Sequence, residues 1–350
     1  MRIGIIGCGV AIQHHIPAIR SVRGAEIVGI CDIRTDKLEN AANRFNIENK
    51  FTDFSIMIKQ QKPDIVFITT PPRTHASIAI QVMDLGCNVL VEKPMAITIE
   101  EADEMIEASK KNNVKLCVVH QHLFDPHIQR AKRLLETGVL GDIVYAEVKY
   151  YLDNKKMIEE QTNNPEHWVY KLPMSIYGEY TPHLTYLLLS FLNKIDSIQV
   201  LENKIDNGTH PTTGGLAVQL SSENAIGRLL MFYSMDHEHF TIDIFGTKAV
   251  LHINMLDLTI TLEKERNLPR VLARMFTTVE QSFRGILETI ANIIRITFGK
   301  LKRRPGHRNL VKKFIESVQN DEAPPVTGEE GREVVRILKM IEEQLAVPKK

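Results

Sequence analysis

The chain has 350 residues, enough for about two domains of ordinary size, with 43% hydrophobic and 25% charged side chains and a formal net charge of zero. That mixture excludes disordered, collagen-like and disulfide-scaffold proteins. The longest mostly apolar stretch, Ile286 to Phe298, is too short to span a bilayer and carries Glu288 and Arg295. Nor does the start read as a secretory signal, because glycines interrupt the few apolar residues after Arg2.

The four cysteines (Cys8, Cys31, Cys87, Cys117) have no metal-type spacing, and each lies in or beside an expected buried strand. Reduced thiols, a cytoplasmic location and no metal site are therefore expected. The zero net charge is uneven along the chain. Residues 1–120 carry 14 basic and 14 acidic side chains, 121–263 carry 11 and 18, and 264–313 carry 13 and 3. Any attraction to anions should be local to that last tract.

In chain order, strands are expected at Ile3–Ile6, Glu26–Cys31, Asp64–Thr69, Asn88–Glu92 and Lys115–Val119, with amphipathic stretches around 13–22, 35–45, 73–85 and 98–111. The strands are near-continuous apolar runs, as in a parallel sheet covered by helices on both faces. Beyond Phe124 the pattern changes. A helix is expected at Asp125–Glu136, a strand at Ile143–Tyr151, a loop-like polar stretch at Asp153–Pro173 and an apolar helix at Ser175–Leu192. Alternating runs follow at 195–203, 215–220, 225–233, 239–245, 248–253 and 257–262. Turn signals such as Asn207-Gly208 and Gly246-Thr247 fall between some of them, which predicts an antiparallel sheet. Helices near 275–301, 307–319 and 328–345 close the chain. The fold class is α/β, with an N-terminal Rossmann domain over 1–121. A C-terminal α+β domain with an open, mainly antiparallel sheet follows over 122–350, and its last helix could pack back on the first domain.

Gly7-Cys8-Gly9-Val10-Ala11-Ile12 follows the first strand and opens a helix. A tight turn there lets helix N–H groups face a pyrophosphate. Ile12 stands where a third small residue usually permits close helix–strand packing. Asp32 ends the second strand, placed to accept hydrogen bonds from an adenosine ribose. Asp32 disfavours a 2′-phosphate, whereas Arg34 could neutralise one, so the expected cofactor is NAD, with NADP left open.

Several segments together resemble the Gfo/Idh/MocA family, the glucose–fructose oxidoreductase and inositol dehydrogenase group. They are IGIIGCGVAIQHHIPAI, TTPPRTHASIAIQVMDLGCNVLVEKPMAIT, GEYTPHLTYLLL and the closing VTGEEGREVVRILKMIEE. The resemblance implies hydride transfer between a nicotinamide and a secondary hydroxyl or ketone of a sugar, nucleotide sugar or cyclitol. It also implies homodimers or homotetramers formed through the exposed face of the second domain's sheet. Its most specific part is Glu92-Lys93-Pro94, with Thr69, Pro71 and His75 upstream, all expected at the cofactor.

Lys93, at the carboxyl end of a strand, could hydrogen-bond a substrate hydroxyl and favour its alkoxide-like form. In relatives the bond before this proline can be cis, which would aim the lysine. Glu179 and His183, four apart on one helix, point to one face: His183 could be the acid–base and Glu179 its partner or a substrate contact, or the pair could simply lie on the helix surface. Relatives have Asp-x-x-x-His here and often a second Asp three residues later, where this chain has Tyr186. Relatives also read Gln-Asn-Arg-Phe-x-Pro where this chain reads Gln121-His122-Leu123-Phe124-Asp125-Pro126. His122 is a candidate pocket residue or a structural histidine, and Trp168 with Tyr170 could cover the substrate or simply pack. His14 and His15 are read as packing or capping residues, and His120 has no assigned role.

From Phe283 to Arg304 apolar residues at helical spacing accompany Arg284, Arg295, Lys300, Lys302, Arg303 and Arg304. The preferred expectation is a helix packed on its own sheet or on a subunit partner, with a solvated basic rim. Peripheral membrane contact is the lesser reading. Nucleic acid is not expected, since no recognition motif accompanies the charge. Two rivals to a dehydrogenase are a glycoside hydrolase of the same family using bound NAD, and a nucleotide-binding regulatory protein without catalysis.

Overall fold

The computed structural model describes residues 1–152, 168–192, 194–205, 213–233, 237–264, 268–299 and 305–346. The chain forms two compact units: Met1–Phe124 with Gly306–Lys339, and Asp125–Pro305 with the segment from Met340.

The first unit holds strands β1 (Arg2–Ile6), β2 (Glu26–Cys31), β3 (Lys50–Phe51), β4 (Ile65–Ile68), β5 (Asn88–Val91) and β6 (Leu116–Val118). They form one sheet in the order β3-β2-β1-β4-β5-β6, with every neighbouring pair parallel. Helices α1 (Ile12–Ile19), α2 (Thr35–Phe45), α3 (Phe54–Gln61), α4 (His75–Asp84) and α5 (Ile99–Lys111) alternate with the strands. All four residues of β4 are buried, as a strand covered on both faces requires. Thr98 and Glu101 close a reciprocal capping box that starts α5. The strand order reverses between β1 and β4, so the crevice for a dinucleotide opens at the carboxyl ends of those strands.

Two elements went unforeseen, β3 and α3. A two-residue strand has no periodicity to detect, and α3 is eight residues begun by the Asp53 side chain, which accepts from the Ser55 and Ile56 N–H groups.

A single boundary at 121/122 does not describe the units. Helix α9 (Pro305–Gln319; numbering the helices of the second unit α6 to α8) places Leu310, Val311, Phe314 and Ile315 in the first unit's core. Helix α10 (Gly328–Ala346) joins it there through Lys339. Gly331 sits so close to Met95 and Val118 that a Cβ would lie 2.5 and 2.6 Å from their side chains. The apolar faces of these helices complete a core laid down two hundred residues earlier.

The second unit contains α6 (Pro126–Glu136), β7 (Ile143–Leu152), α7 (Tyr177–Leu189), β8 (Ile195–Ile205), β9 (Thr213–Ser222), β10 (Ile226–Tyr233), β11 (His239–Gly246), β12 (Ala249–Asn254), β13 (Thr259–Lys264) and α8 (Arg270–Thr297). Its seven-stranded sheet runs β13-β12-β11-β7-β10-β9-β8, antiparallel except for the pair β7 and β10. Helix α7 lies on one face, where Gly227 admits it: a Cβ there would lie 2.7 Å from Leu192 and 2.8 Å from Leu188. The opposite face carries an ionic ladder. Lys149 bonds Asp243 at 2.6 Å, and Asp243 in turn bonds His252 at 2.7 Å. The polar stretch up to residue 167, the Asn207-Gly208 turn and Lys300 to Arg304 lie outside the described residues.

Helix α8 overturns the expectation that its apolar face packs on its own sheet. The polar face does so instead: the Glu288 Oε2 accepts the Ile260 N–H at 2.8 Å, and the Asn292 amide donates to the carbonyls of Asp257 and Leu258.

Candidate active site

In the first unit, the residues singled out at strand ends converge on the carboxyl edge of the sheet. Gly7 has φ of +102°, and a Cβ there would come within 2.7–2.8 Å of the Thr69 and Thr70 backbone, so only glycine serves this turn. Nothing lies within 4 Å of where a Gly9 Cβ would be, so the backbone there faces open space. Helix α1 then starts at Ile12 with no side-chain cap and no acidic residue in its first turn. Its first N–H groups are thus left for an anion. Val10 is exposed and Ala11 half-buried, while Ile12 is buried and packs the helix start without a third glycine.

Asp32 shapes this loop as well as flanking it. One carboxylate oxygen accepts the Cys8 N–H at 2.7 Å and the other accepts the Arg34 N–H at 2.8 Å. Arg34 turns its guanidinium to Asp36, at 2.6 and 3.1 Å, which commits two of its donors elsewhere than a ribose phosphate. Thr69 is buried, and its hydroxyl lies 2.7 Å from the Gly7 carbonyl, tying the β4 end to the glycine turn. Pro71 is exposed at the start of the next turn. These features fit a dinucleotide: the glycine turn and α1 would receive its pyrophosphate, and Asp32 its ribose hydroxyls.

His75 is fully buried, with Nδ1 2.9 Å from the Pro94 carbonyl and Nε2 2.8 Å from the Thr70 carbonyl. Burial holds its pKa below the ordinary imidazole value, so the neutral ring donates to one carbonyl at a time. A direct cofactor contact was expected of it. The structure makes it a brace between the loops after β4 and β5.

The Lys93–Pro94 bond is cis. Glu92 accepts the Lys93 N–H at 3.2 Å with one oxygen and meets His15 Nε2 at 2.7 Å with the other. Burial raises the Glu92 pKa, yet the His15 hydrogen bond and nearby positive charge bring it down to about 2. His307, on α9, packs its ring 5.7 Å from that of His15, and burial drives its pKa well below the ordinary value. His15, Glu92 and His307 each offer one ligand-type atom within 4.8 Å of the others, a grouping already accounted for by the direct His15–Glu92 bond. Sequence reading missed this role for His15 and His307, because the partners lie 77 and 215 positions apart from Glu92. His122 is half-buried in the short turn after β6, and His120 is buried beside it.

In the second unit, His183 is buried on α7 and its Nδ1 lies 2.9 Å from the Tyr186 hydroxyl. Nδ1 thus has a partner three residues on, in the Tyr186 hydroxyl. Glu179 is half-buried one turn earlier, near the buried Tyr233, whose hydroxyl donates to the Ile176 carbonyl at 2.8 Å. Tyr150, Tyr180 and Tyr233 pack ring against ring along this helix. Trp168 and Tyr170 lie on a short turn over Trp168–Lys171, both half-buried.

Residues 1–120 match the family profile described as "Oxidoreductase family, NAD-binding Rossmann fold", and residues 128–252 match the GFO/IDH/MocA C-terminal domain. The chain is 28% identical to Oxidoreductase P35 of Formosa agariphila, over 75% of this chain and 81% of that one. It is 24% identical to myo-inositol 2-dehydrogenase of Thermotoga maritima, over 95% and 92%. Among solved structures, the WlbA dehydrogenase from Bordetella pertussis, in complex with NADH and UDP-GlcNAcA, shares the fold at a TM-score of 0.79. That match covers 100% of this chain and 98% of the other at 21% identity. The glycine turn, Asp32 and the Glu92-Lys93-Pro94 loop thus stand in the setting these profiles describe, and the chain belongs to the GFO/IDH/MocA family of NAD-binding oxidoreductases.

Proposed function

We propose that this enzyme interconverts a secondary hydroxyl and the matching ketone on a sugar, nucleotide sugar or cyclitol. The carrying observation is the loop after β5, where a Glu92 carboxylate buttressed by His15 binds the backbone of Lys93 at the carboxyl edge of a dinucleotide-type sheet. The names of relatives, among them inositol 2-dehydrogenase and D-glucoside 3-dehydrogenase, support the substrate class.

The glycine turn and Asp32 would hold NAD, which would supply the hydride acceptor for the carbinol carbon in the oxidation direction. The hydroxyl proton needs a separate acceptor, and His183 is suited to it. With Nδ1–H donating to the Tyr186 oxygen, Nε2 carries the lone pair that accepts the proton, and the imidazolium so formed returns that proton from Nε2 in ketone reduction. The Lys93 ammonium hydrogen-bonds the reacting oxygen and stabilises its alkoxide-like charge. Glu179, His122, Trp168 and Tyr170 are assigned to substrate contact.

The sheet face opposite α7, where Lys149, Asp243 and His252 form an ionic ladder and Tyr151 packs on Phe232 and His239, supports a homodimer or homotetramer. Four buried thiols, with Cys8 and Cys31 pushed up to about 12 by burial, support a reducing, cytoplasmic setting. The test is NADH formation from NAD with a panel of UDP-sugars, free sugars and inositols, and the reverse assay with ketones. Turnover lowered by about 100-fold or more in Lys93→Met and in His183→Ala is expected. Release of an aglycone without net NADH would move the chain to the hydrolase reading, and NAD binding with no turnover in either direction to the regulatory one.

A further inference from the structure

We propose that α8 is a docking element for an anionic lipid surface, on which it lies in the membrane plane.

The helix is inverted relative to ordinary packing. Its small and polar side, with Thr277, Gln281, Glu288 and Asn292 in one row at helical spacing, faces the unit's own edge. Glu288 Oε2 accepts the Ile260 N–H and its Oε1 pairs with Arg130, while Asn292 is 8% exposed and caps the carbonyls of Asp257 and Leu258. The helix is therefore held by its polar face. The opposite side carries eleven large apolar residues, all exposed; Val279 and Phe283 are 66% and 62% exposed, and Phe298 just beyond the helix is 74% exposed. Eleven such side chains present on the order of 1,000 Å² of apolar surface, above the few hundred Å² usual for the largest patch of a monomer. Twenty-eight residues make this a stripe about 42 Å long.

Charge selects the occupant. In sequence, residues 264–304 of this unit carry 10 Lys and Arg against 3 Asp and Glu. A second copy laid against the same stripe would set one strongly basic tract against another. An anionic bilayer complements it instead, accepting the apolar side chains among its acyl chains and the cations at its headgroups. Arg284 is paired with Glu280 at 2.9 Å, and Arg274 and Arg295 lie on the sides away from the stripe, yet a helix is about 10–12 Å across, comparable to the Debye length of ~8–10 Å, so the field of these two still reaches the surface. Among the described residues no helix is long and apolar enough to cross a membrane, so the stripe can enter only one leaflet's surface.

The experiment sediments the full-length protein with phosphatidylcholine vesicles, with and without phosphatidylglycerol, at low and high salt. Wild type should pellet with the anionic vesicles at low salt and far less with neutral ones. The exposed-site variant Phe283→Glu/Ile290→Glu should lose at least roughly tenfold in vesicle affinity, since two large apolar side chains no longer enter the leaflet. Unchanged thermal unfolding and NAD affinity would show that this variant folds. The proposal is overturned if wild type stays in the supernatant with anionic vesicles at low salt, or if the variant pellets as wild type does. It is equally overturned if the variant instead lowers the molar mass seen by light scattering without lipid while vesicles capture neither protein, which would place a second copy on the stripe.

Discussion

His15 Nε2 lies 2.7 Å from Glu92 Oε1, so the first helix of the dinucleotide fold holds the carboxylate whose other oxygen binds the Lys93 N–H. The glycine turn and the lysine loop are thereby mechanically linked, and the link is electrostatic. Glu92 ionises in the folded state with a pKa near 2, against 4.5 for a free glutamate. A depressed acid contributes stability that is fully present above the unfolded value and is lost as pH falls through the folded one. Urea unfolding of the wild type should therefore weaken between about pH 4.5 and 2, on the order of 3 kcal/mol in all. Glu92→Gln should flatten that window. An equally steep profile in the variant would show that other carboxylates govern it.

The two glycines of the turn should separate folding from binding. Gly7→Ala places a Cβ against the Thr69 backbone at positive φ and should cost about 1–3 kcal/mol in stability. Gly9→Val meets no protein atom near its Cβ position, so unfolding should be nearly unchanged while NAD affinity falls at least tenfold. Calorimetric titration beside thermal melts reads both effects. Equal NAD affinity in Gly9→Val would place the cofactor elsewhere.

Cofactor choice should rest on Asp32. Its carboxylate repels a 2′-phosphate, and Arg34 is drawn to Asp36. The ratio of kcat/KM for NAD over NADP should favour NAD in the wild type and narrow in Asp32→Ala. It should narrow further when Asp36→Ala also releases the guanidinium. A wild type that prefers NADP would contradict this account.

His183 and Tyr186 should be separable by pH. His183→Ala is expected to lower kcat by about 100-fold or more, with a smaller effect on KM. Tyr186→Phe removes the Nδ1 partner without removing the ring, so it should retain more activity and shift the acid limb of the rate profile. Oxidation requires an unprotonated Nε2, so that limb falls toward acid pH as the ring takes up a proton. A Tyr186→Phe profile superimposable on wild type would leave the phenol a packing role alone.

Local information was enough for much of this. Apolar runs such as Ile65–Ile68 name strands buried on both faces, and residues at strand ends, Gly7, Asp32 and Lys93, follow from the strands themselves. The alternating stretches 225–233 and 239–245 fall on β10 and β11 for the same reason, since period two needs no partner to be recognised. Tertiary structure decided what depends on residues far apart in sequence. His307 reaches His15, α9 and α10 complete the core of the first unit, and β7 pairs in parallel with β10. It also decided the sense of α8. Amphipathic periodicity marks two faces of a helix but does not say which is turned inward; Glu288 and Asn292, bonded to backbone at Ile260, Asp257 and Leu258, turned the polar one in.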